Sequence, residues 1–206
     1  MISSERLFDE NKLYDYIQKY AYEKQMKQTL CVLPYAKELH QGQYRSGKEH
    51  VPYIYHPLMV ACHALSLGFD EDDMISAALL HDICEDCNIH PEDLTVNENT
   101  KVIVTLLTHH DDYYRSDNAK KYYFQRIAEN KKALIIKLLD RCNNISSIAT
   151  GFEKAKRDNY IKNTEEWFYP LLTQAMIDYP EYSHQLFVIE YHMKSIIESI
   201  KNFVVI

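Results

Sequence analysis

Glycine is scarce in this chain, with 4 residues in 206. So few glycines leave little material for the positive-φ turns that β-hairpins use, and they point to helices joined by short loops. Basic residues do not dominate either: 23 Lys and Arg stand against 30 Asp and Glu, a formal charge of −7. That balance argues against duplex DNA or RNA as a partner, because neutralising phosphates needs a basic face. A small anionic substrate stays compatible, since a metal ion and a few basic groups reverse the potential locally. No apolar run approaches the roughly eighteen residues of a membrane span. The start, Met1-Ile2-Ser3-Ser4-Glu5-Arg6, lacks the form of a signal peptide, so neither a membrane partner nor export is expected. Cysteine numbers 5, an odd count without regular spacing, which fits a reducing cytoplasm better than a disulfide framework. Internal repeats, low-complexity tracts and linkers rich in Pro, Gly or Ser are missing too.

What remains is a series of apolar helical segments, and a hydrophobic content of 46% supports a sizeable core. Leu13, Ile17 and Tyr20 form one stripe between Glu5 and about Lys24. Leu30 to His40 continues in helical style, with Pro34 opening or kinking a helix. Gln41 to Val51 is polar and reads as a surface loop. Leu58 to Leu67 is an apolar helix stopped by Gly68, its first turn set by Pro57 with His56 at or near the cap. Met74 to Leu80 leads into His81-Asp82. His90 to Leu94 is a short helical turn, and Val102, Ile103, Leu106 and Leu107 mark another helix. Asp117 is the candidate cap of a helix with Tyr123, Phe124 and Ile127 inward. Lys131 to Thr150 is a long helix ended by Gly151, and two more helices follow over Arg157–Met176 and Tyr182–Phe203. The expectation is one all-α domain over residues 1–206.

Three of these apolar segments carry ionisable groups at awkward places: His56 at the start of one, His81-Asp82 at the end of another, Asp140 inside Ala133–Leu139 and its continuation. Burying unpaired charge is costly, so the pattern suggests a site. All four are ligand types for one divalent ion. Imidazole and carboxylate without thiolate suit Mn²⁺, Fe²⁺ or Zn²⁺ better than Ca²⁺. On a continuous helix, His81 and Glu85 share a face, as do Asp82 and Asp86, giving one row for metal and a second for water or protons one turn away. Carboxylates in a last turn oppose the helix dipole, and a bound cation compensates. Lys137, Asp140, Asn144 and Ser147 form a second polar stripe, a mixture suited to a ligand-facing wall. Cys84 and Cys87 make a lone C-x-x-C, read as small packing side chains.

These residues resemble the HD superfamily of metal-dependent phosphohydrolases, and within it the hydrolase domain of RelA/SpoT-type alarmone enzymes in its small stand-alone form. The matching stretches are His40-Gln41-Gly42-Gln43-Tyr44-Arg45, Pro52-Tyr53-Ile54-Tyr55-His56-Pro57, Ala78-Leu79-Leu80-His81-Asp82 with Glu85-Asp86, and Lys137-Leu138-Leu139-Asp140-Arg141 with Asn144. The resemblance covers roughly residues 30 to 175 and implies a single HD-domain helical bundle. It implies Mn²⁺, or another divalent transition metal, held by His56, His81, Asp82 and Asp140. Glu85 and Asp86 are implied as the pair that positions and deprotonates water. The implied substrate is a guanosine nucleotide with a 3′-pyrophosphate, with Arg45 and Ser46 beside it, Lys137 on the same ligand-facing wall, and Asn144 and Ser147 lining its ribose or base pocket. Two other readings stay open: an HD phosphohydrolase acting on a different nucleotide, and a nucleotide-sensing module without catalysis. His109-His110-Asp111-Asp112 is a further candidate for metal or phosphate, weighed against simple exposure. His63 is read as a core or edge histidine, His184 and His192 as surface residues, and Tyr122 and Tyr123 as packing. The final helix is a candidate surface for a homodimer.

Overall fold

A computed structural model describes residues 9–46, 50–109, 113 and 116–203. Among them the regular structure is helical, apart from one isolated antiparallel bridge between Tyr44 and Pro52. The helices sort into two compact units, Met1–Arg45 with His50–Thr108 and Ser46–Glu49 with His109–Ile206.

In the first unit α1 (Glu10–Glu23) is capped by Asp9, whose side chain accepts from Lys12 N at 2.7 Å, and it buries Leu13, Ile17 and Ala21. Helix α2 (Lys27–Leu39) starts three residues earlier than periodicity suggested and holds Pro34 inside it. Its own N-cap, Met26, offers no side-chain acceptor. Asp72 serves instead, from 43 to 44 residues away: its carboxylate accepts from Gln28 N at 3.0 Å, Thr29 N at 2.7 Å and the Thr29 hydroxyl at 2.7 Å. That is how the otherwise orphaned N–H groups of α2 are satisfied. Helix α3 (Tyr55–Ser66) places Pro57 in its first turn, where a missing N–H costs nothing. Its end is a Schellman motif: Gly68 takes φ +84°, Phe69 N donates to Ala64 O at 3.0 Å and Gly68 N to Leu65 O at 3.0 Å. Every residue of α4 (Asp72–Leu80) from Met74 onward is buried, because α2, α3 and α6 (Glu98–Leu107) all pack on it. The short α5 (Ile83–Asp86) lies between α4 and α6 in the chain.

In the second unit α7 (Asp117–Ala128) is capped by Ser116, not Asp117: the hydroxyl of Ser116 accepts from Ala119 N at 3.1 Å. Tyr123, Phe124 and Ile127 are buried as their spacing predicts. Helix α8 (Lys131–Gly151) begins at Asn130, whose side chain accepts from Lys132 N and Ala133 N at 3.1 Å. Gly151 is its last residue, one position inside the predicted stop. The single helix predicted over 157–176 is two, α9 (Lys154–Asn163) and α10 (Tyr169–Asp178), separated by a π-helical turn over Thr164–Phe168. Pro170 explains the interruption, since it cannot donate to the carbonyl four residues back and its ring crowds that carbonyl. Helix α11 (Ser183–Phe203) packs on α8 and α10 through Leu186, Ile189, Met193 and Ile197.

Candidate metal centre

The first unit brings His56, His81 and Asp82 together. His56 is the second residue of α3, entered through a turn in which His56 N donates to Tyr53 O at 2.9 Å. His81 follows the last residue of α4, and Asp82 is the N-cap of α5. The continuous helix expected through 81–86 therefore breaks at the His-Asp pair. At the break His81 Nδ1 lies 2.8 Å from Ala78 O, the carbonyl that Asp82 N–H would take in an unbroken helix. On a regular helix, successive side chains diverge by about 100°. The break lets two neighbouring residues aim at one point.

The resulting triangle is small and even. His56 Nε2 and His81 Nε2 are 3.1 Å apart, and Asp82 Oδ2 stands 3.3 Å from the first and 3.2 Å from the second. Bonds of about 2.1 Å to one ion would place such donors about 3.0 Å apart at right angles and about 3.4 Å apart at tetrahedral angles. The observed edges lie between these, so the three atoms form one face of a coordination polyhedron. A carbonyl only accepts, so His81 Nδ1 carries the proton and its Nε2 lone pair faces the other two donors. Burial pushes the Asp82 carboxyl up, but when His81 and His56 are protonated their charge and hydrogen bonds outweigh it and hold the group well below the usual carboxylate range. A cation bound in place of those protons acts in the same direction. Asp82 is thus an anion among nitrogen donors, a set that fits a divalent transition metal.

Sequence reasoning missed the residue that braces this set. Tyr53, noted only as part of the turn ahead of His56, donates its hydroxyl to Asp82 Oδ2 at 2.8 Å. Burial, then the charges of Asp82 and Asp86, push the Tyr53 phenol far up, so it stays a donor. Its ring stacks on buried His40 with centroids 4.8 Å apart, and the Arg45 guanidinium lies 5.8 Å from its centroid. His40 Nδ1 meets Gln43 Oε1 at 2.7 Å, and Gln43 Nε2 reaches Cys87 Sγ at 3.6 Å. The loop predicted over 41–51 is pinned at its ends by Arg45 N to Val51 O at 2.8 Å and Tyr53 N to Gln43 O at 2.9 Å. Ser46 is exposed.

Glu85 and Asp86 end α5, both exposed. Desolvation raises the Asp86 carboxyl, Tyr53 opposes the rise, and Asp82 and Glu85 add to it. Burial pushes the Cys84 thiol up to about 11 and the Cys87 thiol up as well, which disfavours the thiolate at neutral pH.

The other predicted site residues belong to the second unit, on α8. Buried Asp140 pairs with Lys137 Nζ at 3.1 Å, accepts from Asn144 Nδ2 at 2.5 Å, and Ser147 Oγ donates to Asn144 O at 2.9 Å. The stripe is one hydrogen-bonded run along a single helix. His109 stacks on Tyr113, centroids 4.8 Å apart. His110, Asp111, Asp112 and Tyr114 lie outside the described residues. His63 is half-buried and His184 exposed, as read from sequence, whereas His192 is half-buried and not a surface residue. Tyr123 is buried, while Tyr122 is 63% exposed and does not pack.

An all-helical chain with a His-His-Asp cluster at the start of one helix and the end of another is of the HD type, and the HD-domain family matches residues 33–175. The chain belongs to that family. Among named relatives, it is 35% identical over 142 residues to the guanosine-3′,5′-bis(diphosphate) 3′-pyrophosphohydrolase of Aquifex aeolicus, covering 66% of this chain and 20% of that protein. To the protein of the same name from Vibrio cholerae it is 30% identical over 174 residues, 80% of this chain and 24% of the other. The chain thus spans about a quarter or less of these relatives. A solved structure described as a metazoan ortholog of SpoT that hydrolyses ppGpp superposes with a TM-score of 0.67 at 22% identity, over 84% of this chain and 94% of that one, and shows the same fold. No helix among the described residues is long and apolar enough to cross a membrane.

Proposed function

We propose that this protein is a metal-dependent guanosine-3′,5′-bis(diphosphate) 3′-pyrophosphohydrolase. The observation that carries the reading is the His56–His81–Asp82 triangle with two carboxylates, Glu85 and Asp86, one helical turn beyond it. The names of the relatives support the choice of substrate. Asp140 is the fourth ligand in this proposal and Mn²⁺ the ion, with the two units acting as one hydrolase domain in the cytoplasm. A bound divalent cation supplies charge stabilisation for phosphoryl oxygens and a lower pKa for water. Glu85 and Asp86 orient the attacking water and accept its proton. Water oxygen bonds to the 3′-linked phosphorus, the bond from that phosphorus to the ribose 3′-oxygen breaks, and the 3′-oxygen leaves as a hydroxyl. Pyrophosphate departs whole. Arg45 and Ser46 lie by the nucleotide, Lys137 stands on the ligand-facing wall, and Asn144 and Ser147 line the ribose or base pocket. A homodimer through α11, where Phe187 and Tyr191 are exposed, is the assembly to test by sedimentation.

Incubating ppGpp with the protein and Mn²⁺ is expected to release GDP and pyrophosphate, not orthophosphate, and EDTA is expected to stop it. Survival of ppGpp while another nucleotide of the same panel is cleaved would keep the phosphohydrolase and reject the alarmone. Binding of nucleotide without any hydrolysis would replace the enzyme by a sensor.

A further inference from the structure

We propose that Tyr53 is a positioning residue: its hydroxyl fixes Asp82 for metal ligation. The inference rests on the metal-site reading above and adds a residue to it. A carboxylate at the cap of a short helix is free to rotate, because its terminal torsion is broad and two-fold. Asp82 Oδ2 has a charge-assisted bond from Tyr53 at 2.8 Å and faces both imidazoles from 3.2 and 3.3 Å. One oxygen is thereby aimed at the ligand face.

Tyr53 can do this because it is itself immobile. Its backbone N–H donates to Gln43 O at 2.9 Å, and its ring lies on His40 at 4.8 Å with planes 29° apart. His40 is 2% exposed and is oriented by Gln43 through Nδ1. Its Nε2 is buried without a hydrogen-bond partner among the described residues. A core histidine that leaves a ring nitrogen unsatisfied is kept at some cost in stability. Its use here is as a flat platform, tied at one end to Gln43 and carrying the phenol on its face. The run Gln43–His40–Tyr53–Asp82 joins the end of α2, the pinned loop, the turn before α3 and the start of α5. It works as the outer support of a ligand, of the kind whose loss weakens metal sites about 10–100-fold.

The test is Tyr53→Phe, which keeps the ring on His40 and removes only the hydroxyl. Mn²⁺ affinity, measured by competition with a fluorescent chelator, is expected to fall about 10–100-fold at an unchanged melting temperature. At saturating Mn²⁺, kcat on ppGpp is expected to fall more than KM changes. His40→Leu, which removes the platform and spares the hydroxyl, is expected to weaken Mn²⁺ in the same direction. Wild-type Mn²⁺ affinity in Tyr53→Phe overturns the proposal. If the wild type binds Mn²⁺ but cleaves no ppGpp, the substrate reading fails while the affinity comparison still decides Tyr53. No Mn²⁺ binding by the wild type overturns both.

Discussion

The first unit builds its polar cluster from residues far apart in the chain, whereas the second lays its polar residues along one helix. His56 meets His81 across 25 residues, Tyr53 meets Asp82 across 29, and Asp72 caps α2 across 43 or more. Lys137, Asp140 and Asn144 are three and four residues apart, and helix geometry alone makes them neighbours. The triangle therefore exists only when the whole unit is folded, while the α8 stripe needs one intact helix. The same contrast holds for caps: α2 borrows one from α4, whereas α7 and α8 use the residue just before them.

The largest expected effect strikes the long-range set. Asp82→Ala should abolish metal content, measured by elemental analysis, and with it hydrolysis, while circular dichroism still shows helix. Asp140→Ala should do the same, and full metal occupancy there would confine the ligand set to the first unit. Glu85→Gln with Asp86→Asn should keep metal and lower turnover about a hundredfold or more, the scale of lost acid–base help. Next comes stability. Asp72→Ala removes the acceptor of two backbone N–H groups and a hydroxyl, and should cost about 2–4 kcal/mol in urea unfolding. Ser116→Ala removes a local cap and should cost about 1 kcal/mol. Equal losses would erase the distinction between borrowed and local caps. The smallest effect concerns pH. Burial lowers the pKa of His192 on α11, so the unfolded chain binds the proton more tightly. Its contribution is complete above the ordinary histidine pKa and fades as pH falls through the folded value. His192→Gln should flatten the stability profile slightly in that mildly acidic window.

How much was legible in the sequence follows the same division. Helix periodicity exposed the α8 stripe, the buried face of α7 and the apolar helix ending at Gly68, because each is a relation among residues three or four apart. The ordered motifs exposed His56, His81 and Asp82. What escaped were relations that no spacing encodes. Tyr53 and His40 stood in view as motif letters, yet their ring contact, and the hydroxyl on Asp82, depend on how α2 and the loop fold back. The helix break at His81 escaped because the acceptor is a main-chain carbonyl, invisible in any residue's identity. The split of the 157–176 helix lies upstream of Pro170, at the turn whose carbonyl the proline cannot reach, where the apolar spacing itself shows no interruption.

That main-chain acceptor has a consequence for how the site tolerates mutation. The proton on His81 is held by the carbonyl of Ala78, and no side-chain replacement at 78 deletes a carbonyl. The orientation of this imidazole is thus shielded from point mutation in its own partner, and fully buried Ala78 matters to it through packing alone. Asp82 is held by a phenol, and one nucleotide change that turns Tyr53 into Phe removes it. Two neighbouring side chains of one cluster therefore differ in genetic fragility.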